Sequence, residues 1–156
     1  MKATGFSRTF EAAYDLTPAP ERVFPLLCPV REYDWIDGWQ CELVHSRSGL
    51  VEQDCVFATE FPGHGREVWH TTRHEPPRLV EFVRAGAHWS LRYTIELEPV
   101  AAGTRMTVRQ VWVAVGAEGE RLVRALPQDQ VQSHWDFLSR ALDHFLATGE
   151  PLPHPK

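Results

Sequence analysis

Gln110, Tyr93 and His134 are the side chains best placed by spacing to orient a bound molecule or move a proton on it. Gln110 falls in phase with Met106, Val108 and Trp112 along an alternating stretch, and a buried amide there needs partners from protein, water or ligand. A neighbouring side chain or a sheet edge satisfies such an amide equally well. His134 borders the apolar stripe of a helix, and its ordinary pKa near neutrality suits a general acid or base, with Glu60 or Tyr93 as partner. The plainer reading is a satisfied or half-exposed histidine.

Other chemistries find less support. His70 and His74 share a strand face but lie ~13 Å apart at ~3.3 Å per residue, too far to ligate one ion, so no metal site is expected. His64 sits in a glycine-flanked loop whose mobility explains its setting. Cys28, Cys41 and Cys55 are an odd number without close spacing; free buried thiols fit better than a disulfide framework or a zinc knuckle. There is no Gly-x-Ser-x-Gly elbow, phosphate loop or dinucleotide fingerprint, and no cofactor is expected. A net charge of -5 without a basic run excludes a nucleic-acid backbone as partner. The absence of a ~20-residue apolar span argues against an integral membrane protein. With no signal-peptide core at the N-terminus, the cytoplasm is the expected compartment.

These side chains need elements to hold them. With 156 residues, 43% hydrophobic and 24% charged, the chain reads as one globular domain over 1–150, followed by a loose tail over 151–156. Alternation marks strands over Phe6 to Leu16, Trp39 to Ser46, Cys55 to Phe61, Glu67 to His74, Arg78 to Arg84, His88 to Glu98 and Arg105 to Val113. Short connections at Ser48-Gly49, Pro62 to Gly65, Pro76-Pro77, Gly86 and Ala102-Gly103 make a meander of the later strands. On one of them Trp89, Leu91, Tyr93 and Ile95 face one side, against Ser90, Arg92, Thr94 and Glu96. On the strand with Trp69, one face carries Glu67, Thr71 and Arg73 and the other Val68, His70, Thr72 and His74, so alternation leaves the inward face open.

Pro25 and Pro29 divide Pro20 to Trp35 into two short helices. A helix over Glu118 to Leu126 ends at Pro127. The longest helix, Gln128 to Leu146, spans about 28 Å and carries Val131, Trp135, Leu138, Leu142 and Phe145 at the spacing of one buried face. Six Trp, eight Phe and three Tyr supply rings to fill a core or line a pocket.

This order, with Ala19-Pro20-Glu21-Arg22-Val23-Phe24, Cys28 to Trp35, Gly103 to Val108 and His144 to Gly149, resembles the SRPBCC superfamily. That group includes START-type lipid-transfer domains, pollen-allergen-like proteins and polyketide cyclases. The resemblance covers about residues 6 to 150. It implies an α+β helix-grip fold: a curved seven-stranded antiparallel sheet, two short helices, and a long C-terminal helix enclosing an internal cavity. A small hydrophobic or aromatic molecule, such as a lipid, sterol or polyketide, is then the expected partner. The expected wall is Trp89, Leu91, Tyr93, Met106, Val108, Gln110 and Trp112 from the sheet and Trp135, Leu138 and Leu142 from the helix, with Trp35 and Trp39 near the mouth. The resemblance also admits a cyclase or dehydratase, with His134 as the acid-base candidate for an aldol-type cyclisation, and an interaction domain like the chaperone activators. The superfamily shares no single catalytic set, so catalytic residues are not carried across. Exposed aromatic side chains offer a homodimer surface, and the oligomeric state stays open.

Overall fold

The computed structural model describes residues 5–155. The first four residues of the N-terminal stretch and Lys156 of the tail read above lie outside the described residues. The order is β1 (Ser7–Leu16), α1 (Pro20–Val23), a 3-10 turn (Phe24–Leu26), α2 (Glu32–Trp35), β2 (Glu42–His45), β3 (Val56–Phe61), β4 (Gly65–Glu75), β5 (Leu79–Ala85), β6 (Trp89–Val100), β7 (Gly103–Ala114), α3 (Gly116–Arg124) and α4 (Gln128–Thr148). Seven strands form one antiparallel sheet in the order β1-β7-β6-β5-β4-β3-β2. The later strands pair in sequence, and β1 returns to the far edge beside β7. This is the helix-grip architecture. Among the described residues no helix is long and apolar enough to cross a membrane.

Strand pairing settles the face that alternation left open. Phe57 is opposite Trp69, Trp69 opposite Arg84, Arg84 opposite Leu91, and Leu91 opposite Trp112, so these five residues form one ladder across the sheet. All five are buried. Because side chains alternate along a strand, Glu67 and Thr71 share the inner face with Trp69 and are wholly buried, while Val68 is turned outward and 45% exposed.

Proline shapes the small helices as expected. Pro25 lies inside a 3-10 turn following α1, because its ring has no N–H to continue an α-helical ladder. The strand expected from Trp39 begins only at Glu42. Residues before it are held by side chains: Trp39 Nε1 donates to the Pro29 carbonyl at 2.9 Å, and the Cys41 N–H to the Tyr33 hydroxyl at 2.9 Å. Cys28 and Cys55 are buried free thiols, and Cys41 is partly exposed.

Arg8 on β1 reaches the end of α3, where its guanidinium donates to the carbonyls of Val123, Arg124 and Leu126 at 3.2, 3.2 and 2.6 Å. A cation here satisfies the unpaired carbonyls at the negative end of the helix dipole. α4 begins directly after Pro127 and stops at Gly149, whose left-handed backbone, φ 75°, lets its N–H bond to the Phe145 carbonyl at 2.7 Å. On α4, Trp135, Ala141 and Leu142 are buried together with Phe137 and Ser139. Each large apolar side chain so buried contributes about 1.5–3 kcal/mol.

Candidate functional site

The sheet and α4 enclose a cavity of about 470 Å³. β3 to β7 provide Phe57, Phe61, Trp69, Phe82, Arg84, Tyr93, Ile95, Gln110 and Trp112. α4 adds Val131, His134, Trp135 and Leu138, at the three-and-four spacing of one helix face. Glu32, Ile36 and Trp39 come from α2 and the segment after it, and the exposed residues Asp37, Gly38 and Gln130 mark the mouth. A second pocket of about 50 Å³ adjoins the first and shares Glu32, Ile36, Tyr93, Ile95, Trp135 and Leu138 with it.

The residues expected from sequence divide among three settings. Trp39, Tyr93, Gln110, Trp112, Trp135, Leu138 and His134 line the larger cavity. Trp35, Met106, Val108 and Leu142 line the smaller pocket, with the Trp35 indole anchored on the Leu26 carbonyl at 2.9 Å. Trp89 and Leu91 line neither. Trp89 is tied instead to Glu67, to which its indole N–H donates at 2.8 Å. Leu91 sits between Arg84 and Trp112 in the ladder, and these longer side chains reach past it to the cavity. Glu60 is exposed and off the cavity wall, so it is no partner for His134. The tail expected to be loose is docked: Leu152 pairs with Ile36, the His154 N–H donates to Asp37 Oδ2 at 3.2 Å, and the His154 ring stacks on Phe137 at 4.2 Å. His154 thereby joins the cavity wall.

Four polar residues at this site were not anticipated from the sequence. Glu67 is 0% exposed; its Oε2 lies 2.9 Å from Arg84 Nε and its Oε1 3.2 Å from His64 Nδ1. His64 is therefore not merely a loop residue, because the turn between Gly63 and Gly65 brings it onto a buried carboxylate and into the cavity wall. Burial raises the Glu67 carboxyl, but the His64 hydrogen bond, the Arg84 charge and the Trp89 indole outweigh it, and the group stays below the usual range. Burial drives Arg84 below its ordinary value, opposed by Glu67. The fourth residue, Glu32, lines both pockets without a side-chain hydrogen bond among the described residues, and burial pushes its carboxyl up to about 8.

Glu32 keeps accessible surface where it borders the cavity, so it is a protonated acid in reach of a bound molecule at neutral pH. Burial, then the Glu32 charge, pushes Tyr93 up to about 12, so its phenol remains a donor. His134 is exposed at the rim yet crowded by protein; this crowding, followed by the charges of His154, Arg84 and His64, lowers its pKa and favours neutral imidazole. Such groups can hydrogen-bond a polar substituent and exchange protons with it. No group of three His, Cys, Asp or Glu side chains among the described residues is placed to hold a metal ion.

Comparison with solved structures finds the same architecture at low sequence identity. A norcoclaurine synthase point mutant from Thalictrum flavum, in complex with a transition-state analogue, is 10% identical, with 94% of this chain and 98% of that chain covered and a TM-score of 0.70. Ara h 8.0201 is 14% identical over 92% of this chain and 99% of that one, with a TM-score of 0.65. DynU16, from the dynemicin biosynthetic locus, is 16% identical with a TM-score of 0.65; the match covers 92% of this chain but 48% of DynU16. These are helix-grip folds of the SRPBCC type, and the likeness is one of fold. No protein-family model matches the sequence, and comparison with curated proteins finds none that matches.

Proposed function

We propose that this protein binds a small hydrophobic or aromatic molecule, of lipid, sterol or polyketide type, in the cavity between the sheet and α4. The observation that carries the reading is the cavity: about 470 Å³, walled by aromatic and aliphatic side chains with a few polar groups among them. Small-molecule sites have this size and this mixture, in which apolar contact supplies affinity and the polar groups fix orientation. Native mass spectrometry against lipids, sterols and aromatic polyketides tests it. A retained ligand whose binding weakens about tenfold or more in Trp112→Ala or Gln110→Ala is the expected result. A panel with no retained member, or binding indifferent to both substitutions, would sink the proposal.

A second reading is favoured by Glu32. A carboxyl raised to about 8 beside the cavity is a general acid near its operating pH, which suits a cyclase or dehydratase acting on the same ligand. Catalysis predicts turnover of a bound polyketide that Glu32→Gln lowers at least about a hundredfold while binding persists. Undiminished turnover in that variant removes Glu32 from the chemistry, and the same comparison with His134→Ala tests the rim histidine.

A further inference from the structure

Arg84 is a charge placed among rings. It is 5% exposed, and its guanidinium carbon lies 4.7 Å from the centre of the Trp69 ring, 5.4 Å from Trp112 and 5.7 Å from Phe61. Cation–π attraction to these faces holds the guanidinium in place without using its N–H groups. Its nearest carboxylate, Glu67, is shared with His64 and Trp89. Although Nε is 2.9 Å from Glu67 Oε2, its N–H is not aligned on any acceptor. A guanidinium has five N–H donors in a planar fork, and none of them makes a hydrogen bond within the described residues. A buried donor left in that state is costly, so the fork calls for an acceptor at the cavity wall.

Gln110 points to the same requirement. Its Oε1 accepts the Trp112 indole N–H at 3.1 Å, which commits the carbonyl end and leaves the NH₂ end as two donors at the cavity wall. Trp112 thus links the two residues, stacked on Arg84 by its ring and bonded to Gln110 by its nitrogen. Arg84 presents hydrogens only, and Gln110 presents the hydrogens of its NH₂ end, with one lone pair of its carbonyl already taken by Trp112. A cationic ligand has no counterpart here, because Glu67 is already surrounded by donors and Glu32 is protonated at neutral pH.

We propose that the ligand of this cavity is an acid, an apolar or aromatic body bearing a carboxylate that the Arg84 fork receives, with the Gln110 amide donating beside it. This inference rests on the reading that the cavity binds an apolar small molecule, and it names the polar group such a molecule carries. A carboxylate is the matching anion because its two oxygens lie in one plane at the spacing of paired guanidinium N–H groups. Trp69 and Trp112 stack on the guanidinium, so the fork is oriented before the ligand arrives and little side-chain freedom is lost on binding.

The test uses the full chain and a matched pair of probes, 2-naphthoate and its neutral isostere 2-naphthamide, with 2-ethylnaphthalene as an apolar control. Calorimetry at pH 7.5 should give naphthoate at least about tenfold tighter binding than naphthamide, as expected for a charge-assisted pair out of water. Arg84→Met should bring the two within about twofold while naphthamide affinity changes less than threefold. Arg84→Met leaves Glu67 buried without its cation, so Glu67→Gln/Arg84→Met, which removes both charges, is measured alongside. Should neither variant fold, the wild-type comparison decides alone. Equal wild-type binding of acid and amide overturns the anion site while leaving the apolar cavity reading intact. A preference for naphthoate that survives both substitutions overturns the role of Arg84. If none of the three compounds binds, the cavity reading fails and this inference fails with it.

Discussion

Glu32 ties protonation to folding at the level of one residue. Its carboxyl moves from an ordinary 4.5 to about 8 in the folded chain because burial disfavours the anion. The folded state therefore holds this proton more tightly than the unfolded state does. The associated stability is fully present below about 4.5 and is lost as pH rises through 8. Between pH 5 and pH 9 the unfolding free energy should fall by on the order of 4 kcal/mol. Glu32→Gln should remove that slope and be more stable than wild type at pH 9. Urea unfolding across the range measures both, and a slope that persists in Glu32→Gln would falsify the assignment. The signals for Glu32 and Arg84 lay in phase rather than type. Glu32 precedes Trp35 by three and Ile36 by four, so it shares their helix face, and Arg84 alternates with Val80 and Phe82. Charged types argue for solvent unless a partner is known, and the partner of Arg84 is on another strand, reached only through a register that periodicity does not supply.

At the level of elements, α3 is seated against the turn between β5 and β6 by a contact that only glycine permits. The Val115 N–H donates to the His88 carbonyl at 2.8 Å, and Gly119, one turn along α3, lies against that same oxygen so closely that an added Cβ would overlap it. Gly119→Ala must push α3 away from the sheet. The expected cost is about 1–3 kcal/mol, the range for overpacking a filled contact, read as a fall of about 2–12 °C in Tm. Gly5→Ala, where an added Cβ meets nothing within 4 Å, is the control. A Gly119→Ala protein as stable as the control would show that α3 is not seated by this contact. Long elements with one dominant period, β6 and α4, were legible in the sequence because every turn or residue pair repeats the same signal. The tail was not. Pro151, Pro153 and Pro155 leave it no period, and its position follows from Leu152 and His154 meeting Ile36 and Phe137, contacts between residues more than ten positions apart.

For the whole molecule, the cavity is space that the fold leaves between a broad sheet and one helix, and the same helix stripe would serve a completely filled core. This is why seven strands and a long helix were readable from pattern while the cavity rested on resemblance: periodicity reports which face is buried, and volume depends on how the rings of Trp69, Phe82, Trp112 and Trp135 are turned. The distinction is testable by filling the space from within. Leu138 borders both pockets, and Leu138→Trp projects an indole into them, replacing void with contacts that the apo protein lacks. Its Tm without ligand should equal or exceed that of wild type, since the added ring enters open volume rather than a packed core. A ligand at about a hundred times its Kd stabilises wild type by about 2.7 kcal/mol, a rise of about 5–11 °C for a chain of this length. Leu138→Trp should show less than a quarter of that rise, because its own side chain occupies the ligand's position. Loss of stability in the apo variant would mean the space is closed in solution, and an undiminished ligand shift would place the ligand outside the cavity.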